Sequence, residues 1–578
     1  MEYKMKLTEE QSAILGGSRG ETMAKVMETL VRYGELFGAD EMVPVTSKYN
    51  HLVTSFGLKA LAPVYALMDQ LIETGAVSQQ KFSADPRPLD KNVPSSLIQD
   101  LVFKKFMYSK QDFYEAQLEK LGLMDKDAFT CTCYMDEVGN TPKKGDVLSW
   151  SESSAVVYAN SVLGARCNRN SGIIDLMGSV VGYVPSFGFL KDEGRRADWI
   201  IEIKTTKKPE AQLLGSAVGM KAMEDVPYIK GLDKWLGGKL DDAAKTYLKD
   251  FGAATASNGA VGLYHIENIT PEAVELGESL IKEDAKVYVI DDAELKRVYD
   301  SYPVIWKNKD AKPKLCFMGC PHMSLNQLIS WTEKVEAGLK EAGNTKVVIP
   351  TVFTAAPGVL KEFEKTPYAE RLRKTGVITS YICPLMYMNN PLSTKMPVIT
   401  SSNKLRTYTS ARYYTDDEIL VQITKGGQKI MKTFKGRVVA PGSLTAEALV
   451  SHGGLNTLAS FQKALQFGDK KATCGDQNNP DLYGKQMLGK ALCLPRTIGS
   501  TTGGLVLYCA CAMKRQPACM LFSEPIDSLA AAGAVLSDVW LEGTPLPVID
   551  CLGEEFLDYV KDGMKITIKP DGTVEVDG

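Results

Sequence analysis

An α/β fold with parallel sheets, followed by a smaller β-rich domain, is what this sequence predicts, on three observations. Apolar strand-like runs alternate with helix-period segments through the first two thirds of the chain, and such alternation builds parallel sheets with helices on their faces. Near residue 405 the character shifts to glycine-rich, β-branched segments. The length of 578 residues also exceeds one core, since single cores stop growing near ~250–300 residues.

Taken in order, Thr8-Glu9-Glu10-Gln11 reads as a capping box, and Glu21 to Phe37 as a helix stopped by Gly38. Met42 to Thr46 reads as a strand, and Leu58 to Thr74 as a helix ended by Gly75. Strands are expected at "AKVYVI" (285–290), "KLCFM" (314–318) and "KVVIPTVF" (346–353), with a helix over Ser324 to Ala342 joining the last two. After "SSNKLRTYTSARYYTDDE" come "KGRVVAPGSL", "GKALCLPRTIGSTTGGLVLY" and a closing hairpin, "MKITIKPDGTVEV", with Asp571-Gly572 at its turn. The domain boundary is expected within 404–430, giving domains 1–405 and 406–578.

Composition excludes several classes of function. A net charge of −3, with no Lys/Arg run, argues against a nucleic-acid surface. No run of about 18 apolar residues is present, so no membrane span is expected. The charged start "MEYKMKLTEEQSAIL" lacks a signal core, so a cytoplasmic location is expected. The 12 cysteines then read as free thiols. The pairs Cys131/Cys133 and Cys509/Cys511 have no partner pair at zinc-finger spacing, and four histidines limit histidine-based metal sites.

Four stretches can carry chemistry. Residues 127–173 hold Cys131 and Cys133 in a loop, then Trp150-Ser151-Glu152-Ser153-Ser154, a small-residue helix, and Arg166, Asn168 and Arg169. This reads either as a capped helix with a polar loop or as the wall of a polar pocket, where Arg166 or Arg169 would fork onto an anionic substrate. In "LCFMGCPH" a buried strand is expected to end at Gly319-Cys320-Pro321-His322, leaving Cys320 as a ligand, a nucleophile or a small apolar residue at a bend. "GVITSYICPLMYMNN" repeats the pattern at Cys383-Pro384. Three thiolates from distant loops would suit an iron or iron–sulfur site with an open position. Finally, "RTIGSTTGGLVLYCAC" sets Ser500 and backbone N–H groups at a helix start, without the Lys of a P-loop or the spacing of a nucleophile elbow.

Together, "TCTCY", "WSESSAVVYANSVLGARCNR", "GCPHMS", "ICP", "SSNK" and "GSTTGG" resemble the aconitase X family in its fused large-and-small-subunit form; they run from residue 130 to 504 in the family's order. The resemblance implies an aconitase-like set of α/β layers and a swivelling β/β/α domain. It implies a hydro-lyase that dehydrates a small hydroxy acid at an iron centre, either mononuclear or an iron–sulfur cluster ([2Fe–2S] or [4Fe–4S]). Its metal ligands would be Cys131, Cys320 and Cys383, with Cys133 an alternative because "TCTCY" has cysteine where the family has proline. Lys404 would contact substrate and Ser500 would transfer the proton. Leu52, Val53, Thr54, Asp85, Pro86, Ser153, Ser154 and Arg166 would line the substrate. Two of these segments depart from the family: "TSKYNHLVTSFG" stands for an A-H-x-x-G-type motif and "FSADPRPLD" for a T-x-N-P-like one.

The family's known activities are dehydration of cis-3-hydroxy-L-proline to pyrroline-2-carboxylate and dehydration of 5-phosphomevalonate. Fusion of the two parts favours the first, and no separate small subunit is needed. Two other classes stand beside this reading: a thiol acyl-transfer enzyme using Cys320 and His322, and a non-catalytic iron-binding protein on the same fold.

Overall fold

The structure, a computed structural model, describes residues 3–426, 431–500, 502–541, 543 and 546–577. The chain divides into two compact units, Met1–Gly427 and Gln428–Gly578. The division falls within the expected 404–430 window but later than a 405/406 split, and residues 406–426 fold with the large unit. Arg412–Tyr413 is an edge strand beside Val398–Thr400, and the helix Asp416–Lys425 packs on Leu325–Ala342. A change of local composition does not report which sheet a strand joins.

Most of the expected elements form. Thr8 and Gln11 make the capping box of Glu9–Leu15, Glu21–Leu36 is helical, and Met42–Pro44 is a strand. In the large unit a helix α1 (Ser153–Ser161) lies wholly buried after its first residue, with Glu152 as its N-cap. Behind it packs α3 (Asp242–Asn258), on which α2 (Ala211–Ala222) packs in turn. They approach closely because α2 carries Gly215 and Gly219: a Cβ on either would strike the carbonyl of Phe251 or Thr255 in α3. A four-stranded parallel sheet runs alongside in the order His265–Ile266, Pro227–Lys230, Ala197–Ile203, Ile281–Ile290.

The second sheet of this unit positions the cysteines. It is parallel, in the order β3-β2-β1-β4-β5, with β1 Leu315–Met323, β2 Thr351–Ala355, β3 Ile378–Ser380, β4 Val398–Thr400 and β5 Arg412–Tyr413. Leu315 to Met318 are buried, as a central parallel strand covered on both faces requires. Contrary to expectation, β1 does not end at Gly319 but continues to Met323 after a register shift opposite Phe353–Ala355. Gly319 makes this possible: its φ is +97°, and a Cβ there would collide with the Thr354 carbonyl. β2 likewise begins later than expected, after Pro350, which has no N–H for a sheet ladder. A short helix α4 (Asn403–Tyr408) follows β4.

The small unit centres on a parallel core of β6 (Leu444–Val450), β7 (Ala491–Leu494), β8 (Cys519–Phe522) and β9 (Val548–Asp550). Antiparallel strands extend it to an eight-stranded sheet, including the closing hairpin of Lys565–Ile568 and Thr573–Asp577. Helices α5 (Gly503–Ala512) and α6 (Ser528–Trp540) pack on one another. Among the described residues, no helix is long and apolar enough to cross a membrane.

Candidate active site

A cavity of about 230 Å³ opens within the large unit, and Cys131, Cys320 and Cys383 all line it. They arrive from three segments: a loop, strand β1 and the chain leaving β3. His322 ties the three together. Its backbone N–H donates to Cys131 Sγ (3.4 Å), its Nε2–H donates to the Ile382 carbonyl (3.0 Å), and its Nδ1 accepts from the Thr130 hydroxyl (2.9 Å). Burial keeps this imidazole neutral, pushing its pKa down to about 4. A Cys320–His322 acyl-transfer pair is therefore not formed, because both ring nitrogens are committed elsewhere.

Burial raises all three thiols, Cys383 to about 12. Neutral thiols in an apolar wall become good soft-metal donors once a cation takes their protons' place. Among the described residues, no three His, Cys, Asp or Glu side chains are gathered closely enough to share one ion. What fits a metal here is the donor chemistry: three thiols from separate segments converging on one small cavity. Of the C-x-C pair, Cys131 lines the cavity, while Cys133 is wholly buried and turned to His51.

Opposite charges meet at the same cavity. Lys404 Nζ pairs with Glu152 Oε1 and donates to Ser154 Oγ (3.2 Å). Glu152 Oε2 accepts from Ser154 Oγ and from the Ala155 N–H, both at 2.6 Å, so the carboxylate also caps α1. Burial works against both charges, but their attraction outweighs it. The Glu152 carboxyl is held below its usual range and the Lys404 ammonium above its own. Lys404 is placed by "SSNK": Ser402 Oγ accepts from the Leu405 N–H (3.1 Å) and donates to the Cys320 carbonyl. Gln212 completes the clamp, donating from Nε2 to that carbonyl (3.4 Å) and accepting the Asn403 N–H at Oε1 (3.0 Å).

Asp85, Pro86 and Ser153 line the cavity too. Asp85 Oδ1 stands 3.6 Å from His51 Nε2, and neither atom has a hydrogen-bond partner. Burial raises the Asp85 carboxyl. Five expected substrate residues are not in the lining: Ser154 is buried behind it, its hydroxyl spent on Glu152 and Lys404, and the other four lie elsewhere. Leu52 is wholly buried in the hydrophobic core, the Val53 N–H is taken by Ser151 Oγ (2.8 Å), and the Thr54 hydroxyl donates to Tyr114 Oη (2.8 Å). Arg166 pairs with Asp192 and donates to the Leu190 carbonyl (2.8 Å), so its guanidinium is spent on a local loop. Arg169 donates to the Ala260 carbonyl.

Glu152, Gln212 and Phe56 stand at or beside the cavity with no role in the sequence reading, and His322 has one there only as the acyl-transfer partner of Cys320. Glu152 sat in plain view within "WSESSA", where an acid at a helix start has two uses, cap and counter-ion. Gln212 carries no usable signal, since its place depends on segments far away in the chain. Ser500 lies in the small unit, on the exposed turn before α5, where its Oγ accepts from the Thr502 N–H (3.4 Å) and hydroxyl (3.1 Å). That turn is anchored by pairing of Leu455–Asn456 with Thr497–Ile498.

Three comparisons bear on this arrangement. The sequence matches the families described as the aconitase X first domain over residues 4–193, second domain over 197–300 and swivel domain over 433–576. It is 33% identical over 379 residues to the phosphomevalonate dehydratase large subunit of Thermococcus kodakarensis, covering 64% of this chain and 86% of that one. The small subunit from that organism is 28% identical over 143 residues, 25% of this chain and 94% of its own. The cis-3-hydroxy-L-proline dehydratase of Hypocrea jecorina is 26% identical over 432 residues, 71% of this chain and 67% of that one. A crystal structure titled as the holo-form of Thermococcus kodakaraensis aconitase X superposes with a TM-score of 0.59 at 28% identity, covering 72% of this chain and all of that one.

Proposed function

The chain belongs to the aconitase X family and is a hydro-lyase, and from that premise we propose that it dehydrates cis-3-hydroxy-L-proline to pyrroline-2-carboxylate. The observation that carries this reading is the charge of the cavity. Among the described residues lining it, Lys404 is the one cationic side chain, His322 being held neutral, and it is faced by the acids Glu152 and Asp85. One ammonium suits one carboxylate, and Asp85, a buried acid in the lining with His51 at 3.6 Å and no hydrogen bond on Oδ1, suits a substrate ammonium; hydroxyproline brings both.

Dehydration breaks a C–H bond beside the carboxylate and a C–O bond at the neighbouring carbon, forming a C=C bond and water. Lys404, fixed by Glu152 and the Ser402 turn, holds the carboxylate and spreads the negative charge that develops as the proton leaves. Ser500 is the proposed proton-transferring group, with the start of α5 to favour its anion. Cys131, Cys320 and Cys383 would supply the thiolates for iron. Bound there, iron supplies Lewis acidity toward the departing hydroxyl. Apolar lining from Pro86, Pro384 and Leu385 excludes water from the reacting carbons.

A second reading, dehydration of 5-phosphomevalonate, is favoured by kinship: 33% identity to the enzyme so named against 26% for the hydroxyproline enzyme. A phosphate dianion would ask for cations beyond a Lys404 already paired to Glu152. Assay of anaerobically purified protein with both compounds decides between them. Turnover of hydroxyproline alone supports the proposal, and turnover of 5-phosphomevalonate alone replaces it.

A further inference from the structure

Six non-glycine residues among those described have positive φ, and Phe56, at +52°, is the one that lines the cavity. A bulky residue in the left-handed region is a true outlier, and strain of this kind persists only where the surroundings over-determine it. They do so here. The next residue, Gly57, also has positive φ (+71°), and a Cβ on it would strike Gln111, so the chain is pressed against the helix Gln111–Leu121. The Gly57 carbonyl accepts the Lys110 N–H (3.3 Å), the Leu58 N–H donates to the Ser55 carbonyl (2.9 Å), and Tyr65 Oη donates to the Leu58 carbonyl (2.8 Å). Thr54 is tied to Tyr114 in the same helix.

Nothing in that clamp uses the phenyl ring. A glycine or asparagine at 56 would meet the backbone demand without strain. The place of Phe56 is in the lining of the cavity, which also takes in Pro86, Leu385, Met386 and Tyr408. We propose that Phe56 is a specificity-determining residue, a strained aromatic wall that packs on the hydrocarbon face of a compact hydroxy acid and sets the length of substrate the cavity admits. The inference rests on the dehydratase reading but not on which hydroxy acid is turned over.

The test is Phe56→Gly in the full-length, metal-loaded protein, measured on whichever of cis-3-hydroxy-L-proline or 5-phosphomevalonate the wild type dehydrates. KM should rise about tenfold or more while kcat stays within about threefold, because a packing wall contributes to binding and not to the chemical step. The thermal midpoint should hold or rise, since glycine adopts φ +52° freely. Phe56→Tyr should return KM to near the wild-type value, which a purely structural loss would not do. Unchanged KM with a lowered midpoint would overturn the proposal by making Phe56 a folding residue. If Phe56→Gly does not fold, Phe56→Asn, which also tolerates the left-handed region, serves the same comparison. A wild type active only on 5-phosphomevalonate removes the hydroxyproline reading, yet leaves the effect of Phe56 to be read on that substrate.

Discussion

At the cavity of the large unit, Lys404 and Glu152 face one another with 13% and 5% of their side chains exposed, whereas Ser500 of the small unit stands in the open with Thr502 for company. Both regions lie at helix starts. In the first, burial makes each charge depend on its partner, so the protonation states are settled by the fold. In the second, the hydroxyl keeps the character it would have in water, with a helix start worth about half a unit charge to favour its anion. The chain thus buries its charge pair at the cavity and leaves its proposed proton carrier with the helix start alone.

The largest effect expected on either side of this contrast is kinetic. Ser500→Ala should reduce kcat by about 10²–10⁴-fold, the range for losing a proton-transfer group, while leaving the thermal midpoint and iron content unchanged. Near-normal turnover would remove Ser500 from the chemistry. The cavity side should respond in stability instead. Lys404→Ala leaves Glu152 buried and unpaired, at a cost of about 3–5 kcal/mol by denaturant titration. The double variant Glu152→Gln/Lys404→Met should recover most of that loss without recovering activity, which separates the charge from its use.

Cys383→Ser sharpens the comparison from the metal side. Iron per chain after anaerobic purification should fall well below the wild-type value, and full retention would contradict the three-thiol assignment. For the small unit the lever is Asp527, which accepts from the Thr497 N–H (2.8 Å) and hydroxyl (2.6 Å) and caps α6. Burial works against its charge, but these hydrogen bonds outweigh it and hold the carboxyl low. A lowered carboxylate stabilises the fold above its unfolded pKa near ~4 and loses that contribution as pH falls through the folded value. Asp527→Asn should cost about 1–2 kcal/mol at neutral pH, with a smaller difference from wild type at pH ~3. Smallest of all should be Arg166→Ala. Its ion pair with Asp192, whose side chain is 89% exposed, is worth less than about 1 kcal/mol, and KM should not move.

How far the sequence could be read differs between the same two regions. The start of α5 is legible from its own glycines and hydroxyls, whereas the three cysteines as a set and Lys404 in "SSNK" are legible only through motifs that resemble the family's. Arg166 misled for the converse reason. A guanidinium takes the nearest carboxylate and carbonyl available, and Asp192 and Leu190 are invisible as neighbours until the chain is folded. β1 was cut short at Gly319 because glycine before cysteine and proline reads as a turn, when the glycine serves instead to let the strand pass the Thr354 carbonyl. Residues 406–426 fold with the large unit, which their composition does not report, because the edge strand Arg412–Tyr413 owes its place to β4, not to its own two residues.

The clamp at the Cys320 carbonyl has a mechanical consequence. Ser402 and Gln212 both donate to that one oxygen, and Gln212 also takes the Asn403 N–H, so β1, α2 and the start of α4 meet at a single node. A joint with three members and little slack transmits displacement instead of absorbing it. Lys404 and Cys320 therefore ride as parts of one stiff bracket, and the spacing between ammonium and thiol should be among the last dimensions of the cavity to drift on warming.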